Sequence, residues 1–225
     1  MSATRRRGEL GFSIIELMVG ITLALLIAAA AALLLASNVG ENRRLLREAR
    51  LTQDLRSACD LVVRQMRRAG HWGAASTLGL WSSSADALPN PYAALAPATG
   101  STDTITLRYS QDATENNTVD DNELVGFRLH NGALEAQLGE RNWQALTDVS
   151  TLIVTRFQMA PRIQSAALEP ACTCSTGAPC IAPQVQVRSV DIEISARAAD
   201  DASVLRTVRS TVRVRNDDVG AACNA

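Results

Sequence analysis

The 225-residue chain offers little to covalent chemistry. Its two histidines, His71 and His130, lie outside any His-Glu-x-x-His ligand pair and away from any Gly-x-Ser-x-Gly nucleophile turn. His71 reads as a surface or helix-capping residue. No glycine-rich loop is spaced to cradle a phosphate or a dinucleotide. The expectation is a protein that is not an enzyme and carries no cofactor. Oxygen ligands gather once, in "DATENNTVDDNE", where Asp112, Asp120 and Asp121 are candidates for holding Ca2+. That stretch lacks the glycine and spacing of an EF-hand, and a solvated hairpin loop accounts for it equally well.

Cysteine chemistry is the second possibility. Of five cysteines, Cys59 stands alone, while Cys172, Cys174, Cys180 and Cys223 come late. The "CTCSTGAPC" cluster in a Pro/Gly/Ser-rich loop suits disulfides formed in an oxidising compartment. Metal binding is the alternative, but Cys-x-Cys-x5-Cys without a nearby histidine is a poor zinc pattern. An odd count leaves one thiol free or paired between chains. Cys59 is either a small core residue or one end of a bridge, for example to Cys223.

The most informative group is a single carboxylate. From Phe12 to Ala36 the chain runs 25 residues whose only charge is Glu16. About 20 apolar residues span a bilayer, so the run is long enough for a membrane helix. Arg5, Arg6 and Arg7 precede it and predict a cytoplasmic N-terminus with the remainder exported. A secretory signal peptide cleaved near Ala36-Ser37 is the obvious rival, but it would have a shorter apolar core. An ionised carboxylate in mid-membrane costs about 2.5–3.5 kcal/mol on insertion scales, so Glu16 calls for a partner from outside this segment.

The elements that position these groups follow from periodicity and charge. All 22 basic residues are arginine. Segment 41–70 carries eight arginines against four acids, whereas residues 71–225 carry eleven against seventeen. Positive charge confined to one helix, with 4% aromatic residues, argues against a nucleic-acid partner. Leu51, Leu55, Ala58, Cys59, Val62, Met66 and Ala69 share one helical arc, which predicts an amphipathic helix docked on a core. Residues 41–50 do not share that arc and read as an exposed stretch available to neighbours. The opposite, arginine-rich face is a solvated surface, or it pairs with acidic partner subunits or with lipid head groups near 43–50. Gly70 suits the helix cap.

Residues 74–102 read as an irregular connection. Strands follow: Ile105, Leu107 and Tyr109 alternate, and Asn131-Gly132 between two alternating runs marks a hairpin. "QVQVRSVDIEISARA" and "SVLRTVRSTVRVRN", joined by "ADDA", predict a second hairpin. The expected fold is α+β, a long N-terminal helical spine packed on one twisted antiparallel sheet. Its divisions are 1–11, 12–36, 37–70 and 71–225.

"GFSIIELMVG" behind a basic leader resembles the class III signal of type IV pilins and type II secretion pseudopilins. The resemblance makes residues 1–11 a leader ending at Gly11, Phe12 the mature N-terminus and Glu16 the fifth-position glutamate. It implies cleavage by prepilin peptidase at Gly11-Phe12 and N-methylation of Phe12. The new amine could then pair with Glu16 of a neighbouring copy. "LTQDLRSACDLVVRQMRRAGHWG", "DTITLRY" and "STVRVRN" extend the likeness to the PilW-type minor pilins. That likeness implies a protein held in the inner membrane with a periplasmic domain, and on the cell surface after assembly. Its implied partners are lipid, prepilin peptidase, the inner-membrane assembly platform, other minor pilins and the major pilin. The J-type minor pseudopilins of type II secretion, and a tip adhesin using long loops 74–102 and 160–183, are the alternatives.

Overall fold

The structure, a computed structural model, describes residues 13–79, 88–167 and 184–220. A single α-helix, α1, runs from Ile14 to Arg68. The membrane-type run and the amphipathic run are therefore parts of one element. No proline occurs in it, and Gly20 and Gly40 weaken a helix by only about 1 kcal/mol each. The chain divides into two compact units, the first ending at Leu46 and the second starting at Arg47.

In the second unit, α1 lays Leu51, Leu55, Ala58, Cys59, Val62 and Met66 into the core, with Ala69 just beyond it. All seven residues of the expected arc are buried. The glycine cap is also present: Gly70 has φ +72, and its N–H reaches the Arg108 carbonyl at 2.8 Å. A four-residue helix, α2 (Ala75–Leu78), follows.

The β residues form two sheets where a single one was expected. The first is an antiparallel meander of five strands: β1 (Leu95–Ala96), β2 (Thr104–Arg108), β3 (Leu124–His130), β4 (Ala133–Leu138) and β5 (Trp143–Ala145). The second contains β6 (Leu152–Ala167), β7 (Gln184–Ala198) and β8 (Leu205–Arg213), with β9 (Asp218–Gly220) also on β7. Alternation decides which side of a strand is apolar, but not where a ladder stops. The break falls at Asp148, whose carbonyl accepts from Thr151 and Leu152 at 3.0 Å each, so the chain turns before β6 begins. One isolated bridge, Thr102 to Met159, links the sheets.

Both expected hairpins are present. Asn131 (φ +50) and Gly132 (φ +78) turn β3 into β4, the left-handed pair that a type I′ turn requires. Residues 199–204 turn β7 into β8. Ile105, Leu107 and Tyr109 of the β2 segment, Phe127 of β3, and Val190, Ile192 and Ile194 of β7 are buried with the helix residues. The outward side of the second sheet carries cross-strand ion pairs, directly opposite for Arg209 Nε to Glu193 Oε2 at 2.9 Å and diagonal for Arg162 Nε to Asp191 Oδ2 at 2.7 Å.

Candidate membrane and assembly site

Among the described residues, the first unit is helix from Ile14 to Leu46 with no buried residue of its own. An 18-residue stretch of α1 has mean hydropathy 2.6, and none of it is buried. Large apolar side chains from Ile14 (77% exposed) to Leu35 (66%) face outward. A run of this length needs lipid or other apolar helices around it. Its hydroxyls are already satisfied within the helix: Thr22 and Ser37 each donate to the carbonyl three residues earlier at 2.9 Å. No hydroxyl of that pair has to be desolvated unpaired in an apolar medium.

Glu16 lies in the first turn of α1 and is exposed. The Ser13 carbonyl accepts from the Leu17 N–H at 3.0 Å, so Ser13 stands at the start of the helix. Ser13 and Glu16 thus have Ser-x-x-Glu spacing, the pattern of a capping box. A carboxylate there also faces the positive end of the helix dipole, worth about 0.3–1 kcal/mol. Sequence reasoning treated Glu16 as a charge alone. The serine three residues earlier was the signal that it also suits the beginning of a helix.

The second part of α1 is fastened to the sheets by charge at one end and by stacking at the other. Residues 41–50 are exposed apart from Glu48. Arg47 Nε meets Asp200 Oδ2 at 2.9 Å, and Glu48 accepts from Arg206 of β8. At the C-terminal end, Arg68 stacks over the Tyr109 ring, 4.2 Å from its centroid. The Tyr109 hydroxyl donates to Gln65 Oε1 at 2.8 Å, and burial pushes its pKa up. Asn216 Nδ2 donates to the Ala69 carbonyl at 3.0 Å.

A buried polar group supports this junction from below. Arg188 of β7 is 4% exposed and donates to the main-chain carbonyls of Ala93 and Asn216. Burial lowers its pKa, while Asp218 and Asp217 act to raise it. A Cβ on Gly70 would come within 2.7 Å of Arg188 Nη2, so both the fit and the backbone angle demand glycine there. Sequence reasoning missed Arg188. The signal was available, because Arg188 falls on the same alternate positions as Val190, Ile192 and Ile194.

The acidic segment 112–123 is occupied with its own folding. Glu115 accepts from the Gly73 N–H at 2.9 Å and from the Asn117 N–H and Tyr92 hydroxyl at 3.0 Å. Burial pushes the Glu115 pKa up, but hydrogen bonds from Ser110, Asn117, Gly73 and Tyr92 outweigh it and hold the group below its usual value. Asp120 and Glu123 form a capping box around a 3-10 turn, and Asn116 donates to Asp120 Oδ2 at 2.8 Å. Asp112, Asp120 and Asp121 do not converge. Among the described residues, no group of three or more His, Cys, Asp or Glu is placed to hold a metal.

Cys59, a candidate for a bridge, is a free thiol buried in the core, its pKa raised by burial and by nearby Asp60. It behaves as a small apolar residue on the docked arc. The other candidate cysteines, Cys172, Cys174, Cys180 and Cys223, lie outside the described residues. So do the leader arginines Arg5, Arg6 and Arg7 and the junction Gly11-Phe12. His130 is exposed beside the hairpin turn, its Nδ1 3.1 Å from Glu135.

No curated protein and no solved structure matches the chain. The family model described as prepilin peptidase-dependent protein B matches residues 44–214. The match begins beyond the apolar run, so it rests on the docked helix and the two sheets and owes nothing to the N-terminal signal. With well over half its length matched, the chain belongs to the prepilin peptidase-dependent protein B family.

Proposed function

We propose that the chain is a minor pilin of a type IV pilus, of the PilW type. Prepilin peptidase cleaves it after Gly11 and methylates the new amine of Phe12. The protein is then held in the inner membrane by the first part of α1, its domain on the periplasmic side. It joins other minor pilins in a complex that primes assembly and occupies the tip, with the major pilin added behind it through the inner-membrane platform. It works by association and not by catalysis.

One observation carries this reading: an unburied apolar helix with Glu16 in its first turn, continuous with a domain of the prepilin peptidase-dependent family. In lipid the carboxylate is a cost. Opposite the Phe12 amine of a neighbour it becomes half of an ion pair, so Glu16 favours the assembled state and sets the register between helices.

The test is genetic. Glu16→Ala should be inserted and processed normally yet fail to support surface fibres. Normal piliation with that variant sinks the registration role. Deleting the gene should abolish or sharply reduce fibres while exoprotein export continues. Lost export with normal piliation assigns the chain to the type II secretion pseudopilins instead.

A further inference from the structure

We infer that the cleft formed by Arg64, Arg67, Arg68 and Arg215 is a docking site for paired carboxylates on a neighbouring protein subunit. The cleft has a volume of about 380 Å3 and is lined also by Asp60 and Val63. It brings together the C-terminal part of α1 and the segment that follows β8.

The argument rests on a contrast within one molecule. On the sheets, most arginines pair with acids: Arg156 and Arg209 with Glu193, Arg162 with Asp191, Arg128 with Glu135 and Arg213 with Asp217, whereas, among the described residues, Arg108 and Arg197 stand singly without one. In the cleft they do not. Among the described residues, Arg64, Arg67 and Arg215 have no acidic partner within 4.0 Å, and Arg68 has only the Tyr109 ring. Asp60, the one acid lining the cleft, forms no ion pair there. A set of like charges this dense is unfavourable until an anion arrives.

The cluster is also held in place in advance. Arg68 is fixed by its stack on Tyr109. Arg215 is carried to the helix by its own N–H, 3.4 Å from the Arg67 carbonyl, and by the Asn216 bond to Ala69 next to it. The stacked Arg68 guanidinium and the placed main chain of Arg215 therefore bring planar donor groups together that match carboxylates through paired N–H donors.

A protein neighbour fits better than a membrane. In the chain, the arginines that directly follow the apolar run are Arg43 and Arg44, while the cleft begins some twenty residues later. Complementary chemistry exists on this very domain: a second cleft of about 380 Å3, lined by Asp54 and Asp148, borders another flank of α1. Subunits that repeat head to tail join unlike faces, so one basic and one acidic cleft per domain suit such a contact. The proposal rests on the reading of the chain as an assembly subunit.

The test uses the full-length protein in a neutral detergent and a fluorescent glutamate-rich decapeptide. Wild type should bind it with an affinity that falls as salt rises. Arg64→Glu with Arg67→Glu should weaken binding at least tenfold, Arg215→Ala severalfold, and Arg141→Glu, elsewhere on the surface, not at all. Melting temperatures measured in parallel should stay at the wild-type value. Equal peptide binding by wild type and a normally melting double variant overturns the proposal. So does failure to bind peptide while vesicles of anionic phospholipid bind through these arginines. Peptide binding does not depend on cleavage at Phe12, so either the cleft or the pilin reading can fail without the other.

Discussion

Arg188 Nη2 donates to the main-chain carbonyl of Asn216 at 2.7 Å, beside the C-terminal end of α1. Through that bond, β7, the segment after β8 and the helix terminus become one junction, because Asn216 in turn holds the Ala69 carbonyl. The Arg188 Nε is buried without a hydrogen-bond partner, so the two carbonyl contacts carry the group.

Arg188→Met should therefore destabilise the domain by about 2–4 kcal/mol, since it strands the Ala93 and Asn216 carbonyls and removes the charge facing Asp217 and Asp218. Chemical denaturation with an unchanged m-value would show it. Wild-type stability in that variant would remove Arg188 from the junction.

Gly70→Ala should cost more than the usual helix-cap change. Positive φ and a Cβ contact of 2.7 Å with Arg188 act together, so a loss of at least about 1 kcal/mol is expected in the same assay.

The two parts of α1 should respond oppositely to truncation. Leu55 is fully buried, and Leu55→Ala should cost the domain about 2–5 kcal/mol. Leu33 is 73% exposed, and Leu33→Ala should leave domain unfolding unchanged. Its effect should appear only in fibre assembly.

Acid should weaken the domain in a defined window. Hydrogen bonds from Arg128 lower the pKa of Glu135, and those from Arg209 lower that of Glu193. Hydrogen bonding from Thr211, joined by the charge of Arg162, lowers that of Asp191. Glu115 is lowered too. A depressed folded-state pKa means that the unfolded chain binds protons first. The stabilisation is complete above the ordinary values of 4.5 for Glu and 3.8 for Asp, and is lost as pH falls through the lower folded ones. Melting temperature should be level from pH 7 to about 5 on this account and drop below about 4.5. A melting temperature that does not fall on acidification would contradict the network.

Local pattern made much of this architecture readable. The helix arc, the Gly70 cap and the Asn131-Gly132 turn depend on neighbours a few residues apart, and each is present. What stayed hidden depends on distant contacts. The break between sheets is made by the Asp148 turn, and Arg188 acquires meaning only when Ala93 and Asn216 come to meet it. The cleft arginines were visible as a charged face, but their lack of partners follows from how the acids of the sheets are consumed. Cys59 shows the opposite case, in which a candidate for a crosslink is explained by its place on the buried arc.

In the proposed function, the chain is cut between Gly11 and Phe12 so that Glu16 can meet a new amine. Mass spectrometry of the mature protein's N-terminal peptide tests it most directly, comparing cells with and without prepilin peptidase. The account predicts N-methylated Phe12 as the first residue when the peptidase is present, and an uncut leader when it is absent. The same N-terminus in both strains, or a start near Ser37, would contradict it.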